Sequence, residues 1–120
     1  MFLRVIKNAL LLPFVLALST QVFAVQSDEI KHLLAYVEAT DCQYERNGKH
    51  HNGSEALAHI RKKYDYYQDD IQSAEDFIKY AATKSNLSGK HYKVHCDNQK
   101  SIKSSDWLKA ELSAFRKAQN

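Results

Sequence analysis

Glu55, His59 and Lys63 follow one another at intervals of four, so a helix through them would carry an acid, an imidazole and an amine along a single edge. A row of that kind can relay a proton or hold an anion. Arg46, ahead of Asn47-Gly48, and the serines Ser85 and Ser88 are the side chains that would complete an anion-binding surface if the chain brought them to the same edge. Each member of the row also has a purely structural use, and that use is the heavier expectation. Glu55 can close a helix cap, His59 can hydrogen-bond at a core margin, and Lys63 can run its stem over apolar surface. Tyr66 lies between Tyr64 and Tyr67, which complete an apolar stripe, and is left as an exposed, rigid, amphipathic ring of the sort protein interfaces use.

Other chemistries find little support. The serines at 85, 88, 101, 104 and 105 occupy turn and cap contexts without a nucleophile elbow, and three glycines cannot build a phosphate cradle. No catalytic residue is assigned, no cofactor is expected, and a small hydrolase or transferase using Glu55 and His59 remains the alternative to a binding role. Histidine is the natural metal ligand, but His50 and His51 diverge if extended, and His91 and His95 stand about 13 Å apart on an ideal strand. No metal centre is expected.

The first 24 residues read as an export signal. Arg4 and Lys7 precede the apolar run Ala9 to Leu18, and Val22-Phe23-Ala24 suits a signal peptidase, which predicts cleavage after Ala24. Ten apolar residues of helix reach about 15 Å, half a bilayer's hydrocarbon thickness, so no stable membrane insertion is expected once the signal is removed. Residues 25–120 are then one small domain, exported to the periplasm or secreted. Losing Arg4 and Lys7 from 17 basic residues leaves a near-neutral balance against 14 acidic ones. Nucleic acid, which needs a concentrated basic face, is not an expected partner; an envelope protein is. In an oxidising compartment Cys42 and Cys96 are expected to form one disulfide rather than a redox pair or metal thiolates, whose usual spacings they do not match.

These side chains must be positioned by four helices and two short extended stretches. Ile30, Leu33, Leu34 and Val37 keep helical spacing after Ser27 as N-cap. Asn52 and Glu55 form a capping-box pattern ahead of Leu57, Ile60, Tyr64 and Tyr67, a helix that should end near Gln68. Ser73 and Asp76 repeat the pattern ahead of Ala74, Phe77, Ile78, Ala81 and Ala82, with Ser88-Gly89 as the stop. Trp107, Leu108, Leu112 and Phe115 mark a last helix from Ser104 or Ser105. Asn47-Gly48 predicts a type I′ hairpin between Cys42-Tyr44-Arg46 and Lys49-His50-His51. Tyr92, Val94 and Cys96 alternate with His91, Lys93 and His95 before the chain turns into Ser101-Ile102-Lys103. The order α-β-β-α-α-β-β-α is an α+β fold: about four helices on a small antiparallel sheet or two hairpins.

The set Arg46-Asn47-Gly48, Glu55-Ala56, His59, Lys63, Ala74 to Ile78, Ser85, Ser88-Gly89-Lys90, Tyr92, Trp107-Leu108 and Leu112 resembles the domain of unknown function 5329 family of small exported bacterial proteins. The resemblance covers nearly all of residues 25–120. It implies export and a domain of this size, and it brings no activity, substrate or cofactor. The chain has Lys90-His91-Tyr92 where that family usually has Lys-Pro-Tyr. The cysteine pair is not common to every member, so a bridge would be a local addition.

Overall fold

The computed structural model describes the backbone over residues 15–120 and the side chains from residue 27 onward. The expected signal peptide, residues 1–24, and its cleavage point after Ala24 lie outside the fully described residues. Among the described residues no helix is long and apolar enough to cross a membrane.

Helix α1 spans Val15–Ala39, which corrects the expected start at Ser27. No Gly or Pro interrupts residues 15–26, so the helix continues through Ser27 and leaves it no capping role. Its predicted face is the buried one: Ile30, Leu33, Leu34 and Val37 all enter the core. The hairpin follows, with β1 at Gln43–Arg46 and β2 at Lys49–His51. Asn47 and Gly48 both take positive φ, 53° and 80°, as a type I′ turn requires, and Arg46 pairs with Lys49 across it.

Helix α2, Gly53–Tyr66, opens with the predicted capping box of Asn52 and Glu55. Gly53 is needed at its first position because an added Cβ would lie 2.6 Å from the carbonyl oxygens of Val37 and Glu38, where α2 abuts the end of α1. A short 3-10 turn at Gln68–Asp70 leads to α3, Ala74–Ala81. Ser73 caps α3 by accepting the N–H of Asp76, while the Asp76 carboxylate accepts from Gln72, one residue earlier than a capping box would have it. The helix stops well before Ser88-Gly89. The Thr83 hydroxyl donates to the Ile78 carbonyl, and Lys84 bridges to His91, so the segment between turns back on itself as a loop.

Strand β3, Lys93–His95, and β4, Ile102–Lys103, complete one four-stranded antiparallel sheet in the order β2-β1-β3-β4, which settles the sequence's choice between one sheet and two hairpins. The joining pair is β1 with β3, registered Tyr44 to Val94. The Cys42–Cys96 disulfide ties these central strands 54 positions apart in sequence, as expected from the cysteine count. Helix α4, Ser104–Ala118, returns along α1 and α3.

One face of the sheet, carrying Tyr44, Tyr92 and Val94, packs on the helices around Phe77, Leu33, Ile60, Ile78 and Leu108. The other carries Gln43, Glu45, His50 and Lys93 toward solvent. Ser104, fully buried at the start of α4, uses its hydroxyl on the Tyr44 phenol at 2.6 Å, satisfying two buried polar groups at once. Arg116 on α4 clasps Glu29 of α1 and Glu75 of α3, with bonds of 2.8 to 3.1 Å to both carboxylates. Those bonds hold the Glu75 carboxyl below its ordinary range.

Candidate functional site

The capping box at the start of α2 fixes the first member of the predicted row. Glu55 Oε1 accepts the Asn52 N–H at 2.9 Å, while its own N–H donates to Asn52 Oδ1 at 2.9 Å. The carboxylate is largely exposed and stands 3.8 Å from His51 Nδ1. One turn on, His59 is half-buried with Nε2 3.1 Å from the Tyr92 hydroxyl. A further turn along, the Lys63 ammonium donates to that same hydroxyl at 3.1 Å and to the Lys84 carbonyl at 2.7 Å. An ammonium has no acceptor, so the phenol proton of Tyr92 is left to donate to His59 Nε2. The relay runs from Lys63 through Tyr92 to a neutral His59.

Electrostatics agree with that protonation. Burial, reinforced by the charges of Arg46 and Lys63, pushes the His59 imidazole down to about 4, so it is uncharged at neutral pH. Burial and the Arg46 guanidinium lower the Lys63 ammonium as well. Burial raises the Tyr92 phenol despite the opposing pull of Arg46. Arg46, last residue of β1, is therefore the common neighbour of all three. Neither Arg46 nor Lys63 forms an ion pair with a carboxylate among the described residues. Arg46, His51, Glu55, His59 and Tyr92 line a depression of about 10 Å³, room for a single water.

The serines act one step away. Ser88 donates to Asn47 Oδ1 at 2.6 Å, and Ser85, 7% exposed, accepts from Asn47 Nδ2 at 3.3 Å. Together they pin the hairpin tip against the 85–89 loop and so hold Arg46 beside α2. Their hydroxyls serve the clasp rather than the depression. The structure thus brings Arg46, Glu55, His59 and Lys63 together and sets Ser85 and Ser88 behind them. Tyr66 is 77% exposed and stacks edge-on with Tyr67 at 4.7 Å; it joins none of these hydrogen bonds.

Two residues that complete the arrangement carry no sequence signal for it. Tyr92 alternates with Val94 and Cys96, which places it on the inner face, but its hydroxyl meets α2 only through tertiary packing. Asn47 reads as a turn residue, and its side chain turns out to be the clasp.

The solvent face of the sheet gathers a second group. His50 and His51 do diverge: His51 lines the depression, while His50 lies on the opposite face. There it stacks on His95 with centroids 4.8 Å apart, and Glu45 reaches both rings. Glu45, His50 and His95 are a set whose ligand atoms lie close enough to hold an ion, a juxtaposition that histidine spacing along the chain did not suggest.

Residues 24–116 match the model of a family described as a family of unknown function (DUF5329). A stretch of 60 residues is 38% identical to the uncharacterized protein YfeK of Salmonella typhimurium strain LT2, covering 50% of this chain and 50% of that protein. The matched stretch thus spans half the length of this relative. No solved structure matches the chain.

Proposed function

Since the chain belongs to the DUF5329 family, whose function is unknown, we propose from the geometry that it is an exported binding module of the cell envelope whose Arg46, His59 and Lys63 receive an anionic group of a partner protein. What carries this reading is the convergence, on a neutral imidazole, of two cations without a carboxylate partner among the described residues. Uncompensated, partly desolvated cations attract a carboxylate or phosphate more strongly than exposed ones do. A depression with room for one water admits a single oxygen of such a group, which suits an anionic side chain of a larger partner resting at its rim better than a whole small-molecule substrate. Glu55, engaged by the cap, is poorly placed to serve His59 as an acid or base. Export is supported by the charged and apolar pattern of residues 1–24 and by a disulfide suited to an oxidising compartment.

The test is a photo-crosslinking amino acid at Lys62, exposed next to Lys63 on α2. A discrete adduct formed in cells and lost in Arg46→Ala and Lys63→Met variants would support the reading. An adduct indifferent to both substitutions, or no adduct at all from the otherwise wild-type crosslinker-bearing protein when it is exported and folded, would overturn it.

A further inference from the structure

Glu45 sits on β1, between the strands that carry the two histidines. His50 of β2 is its direct cross-strand partner, and His95 of β3 pairs with Gln43, one diagonal step away. All four side chains share the solvent face, which is opposite the cationic depression. The His50 and His95 rings stack across β1 with an interplanar angle of 19°. Glu45 Oε1 lies 2.7 Å from His95 Nε2 and 3.9 Å from His50 Nε2, and one ligand atom from each of the three lies within 4.8 Å of the others.

Gln43 distinguishes this set from an ordinary surface ion pair. Its Oε1 lies 3.0 Å from His50 Nδ1. An amide oxygen only accepts, so Nδ1 carries the proton and the lone pair of His50 is on Nε2, facing Glu45 and His95. A histidine whose far nitrogen is held by a neighbouring acceptor while its near nitrogen is free is the arrangement that orients imidazole toward a metal.

We propose that Glu45, His50 and His95 bind a borderline divalent transition-metal ion of the zinc type, with Gln43 as the positioning residue. Zinc holds imidazole nitrogens at about 2.0 to 2.1 Å and carboxylate oxygens at about 2.0 to 2.2 Å, which puts tetrahedral ligand atoms about 3.3 Å apart. The observed separations straddle that value, and rotation of half-exposed side chains on fixed strands closes the difference. The ion takes the lone pair of His95 Nε2; the proton that Nε2 shares with Glu45 is released while Nδ1 takes one up from solvent, so the ring changes tautomer and stays neutral, and His50 is already in the required tautomer. Two imidazoles favour such an ion over Ca²⁺ or Mg²⁺, which take oxygen. The fourth position opens to solvent. Lys93, on β3 directly opposite Glu45, weakens binding by its charge, and the expected affinity is on the order of micromolar. The anion-binding depression on the other face plays no part in this site.

Protein expressed from the full-length chain, stripped with EDTA and dialysed, should be titrated with ZnCl₂ by calorimetry while the histidine ring resonances are followed by NMR. One ion per chain is expected, with shifts at His50 and His95. Affinity should fall at least about tenfold in His50→Ala and in His95→Ala, about tenfold in Gln43→Ala, and not at all in His91→Ala. Thermal melts check that each variant is folded, and the wild-type ring shifts decide the matter even if a variant is not. No saturable binding below about 100 µM overturns the proposal, as does binding that moves the rings of other histidines instead.

Discussion

The two faces of the four-stranded sheet are built from neighbouring residues and end up with opposite electrostatic preferences. Glu45 and Arg46 are adjacent in β1, and His50 and His51 in β2, yet Arg46 and His51 border the depression beneath α2 while Glu45 and His50 meet His95 in solvent. On the inner side two cations stand without a carboxylate partner among the described residues, and burial together with their charge depresses a half-buried imidazole. On the outer side a carboxylate is shared by two imidazoles, and hydrogen bonding to His95 holds the Glu45 carboxyl below its ordinary range. Strand parity alone sorts the residues. The sheet therefore carries two cations beside a neutral imidazole on one face and a carboxylate between two imidazoles on the other, from a few residues of hairpin.

Removing what both faces share should have the largest effect. The Cys42–Cys96 bridge fastens β1 to β3, and Cys42→Ser with Cys96→Ser should cost about 3 to 4 kcal/mol in denaturant unfolding and disturb both groups together. A loss under about 1 kcal/mol would mean that strand pairing suffices without the bridge. Gly53→Ala should come next, at about 2 to 3 kcal/mol, because its Cβ would meet two carbonyl oxygens of α1. It should shift the amide resonances around His59 and Lys63 and spare those around Glu45 and His95; shifts on both sides would show that the faces are mechanically coupled. Ser104→Ala leaves the buried Tyr44 phenol without its partner and should cost about 1 to 2 kcal/mol by thermal or chemical unfolding.

The pH response separates the faces further. The His59 imidazole is held down at about 4 in the folded protein against about 6.5 in an unfolded chain, so between those values the unfolded state binds more protons. Its neutral form therefore contributes stability that is complete above about pH 6.5 and lost as pH falls toward 4. His59→Gln should flatten the fall in melting temperature over that range by a few degrees, and a wild-type His59 ring titrating near 6.5 by NMR would refute the burial argument. The smallest effect belongs to the outer face: His95→Ala should change stability by less than about 0.5 kcal/mol in denaturant melts, since its pair with Glu45 is partly exposed.

Helical spacing and caps are local properties, and they made most of the helical fold readable. The stripes of α1, α2 and α3 and the box at Asn52–Glu55 needed no more than the residues within a turn of one another, and the Asn47-Gly48 turn likewise. The misplaced boundaries have physical causes outside those windows. Ser27 is no cap because helix precedes it, and α3 stops at Ala81 because Thr83 and Lys84 find other partners. The row of Glu55, His59 and Lys63 was likewise legible. The clasp of Asn47 by Ser85 and Ser88 and the bond of His59 and Lys63 to one phenol were not, since each joins residues far apart in the chain.

What the sequence determined by itself was therefore everything set by period and parity: which residues share a helix edge, which side of a strand each histidine takes, and that two cysteines would pair. The tertiary structure decided which edges and sides meet. Pairing β1 with β3 costs the closure of a long loop, and that cost is recovered only when Tyr44, Val94 and Tyr92 are buried against the helices. The same pairing sets His95 beside Glu45 on one face and Tyr92 beneath His59 and Lys63 on the other. No local preference encodes either contact, because both are consequences of burying the core.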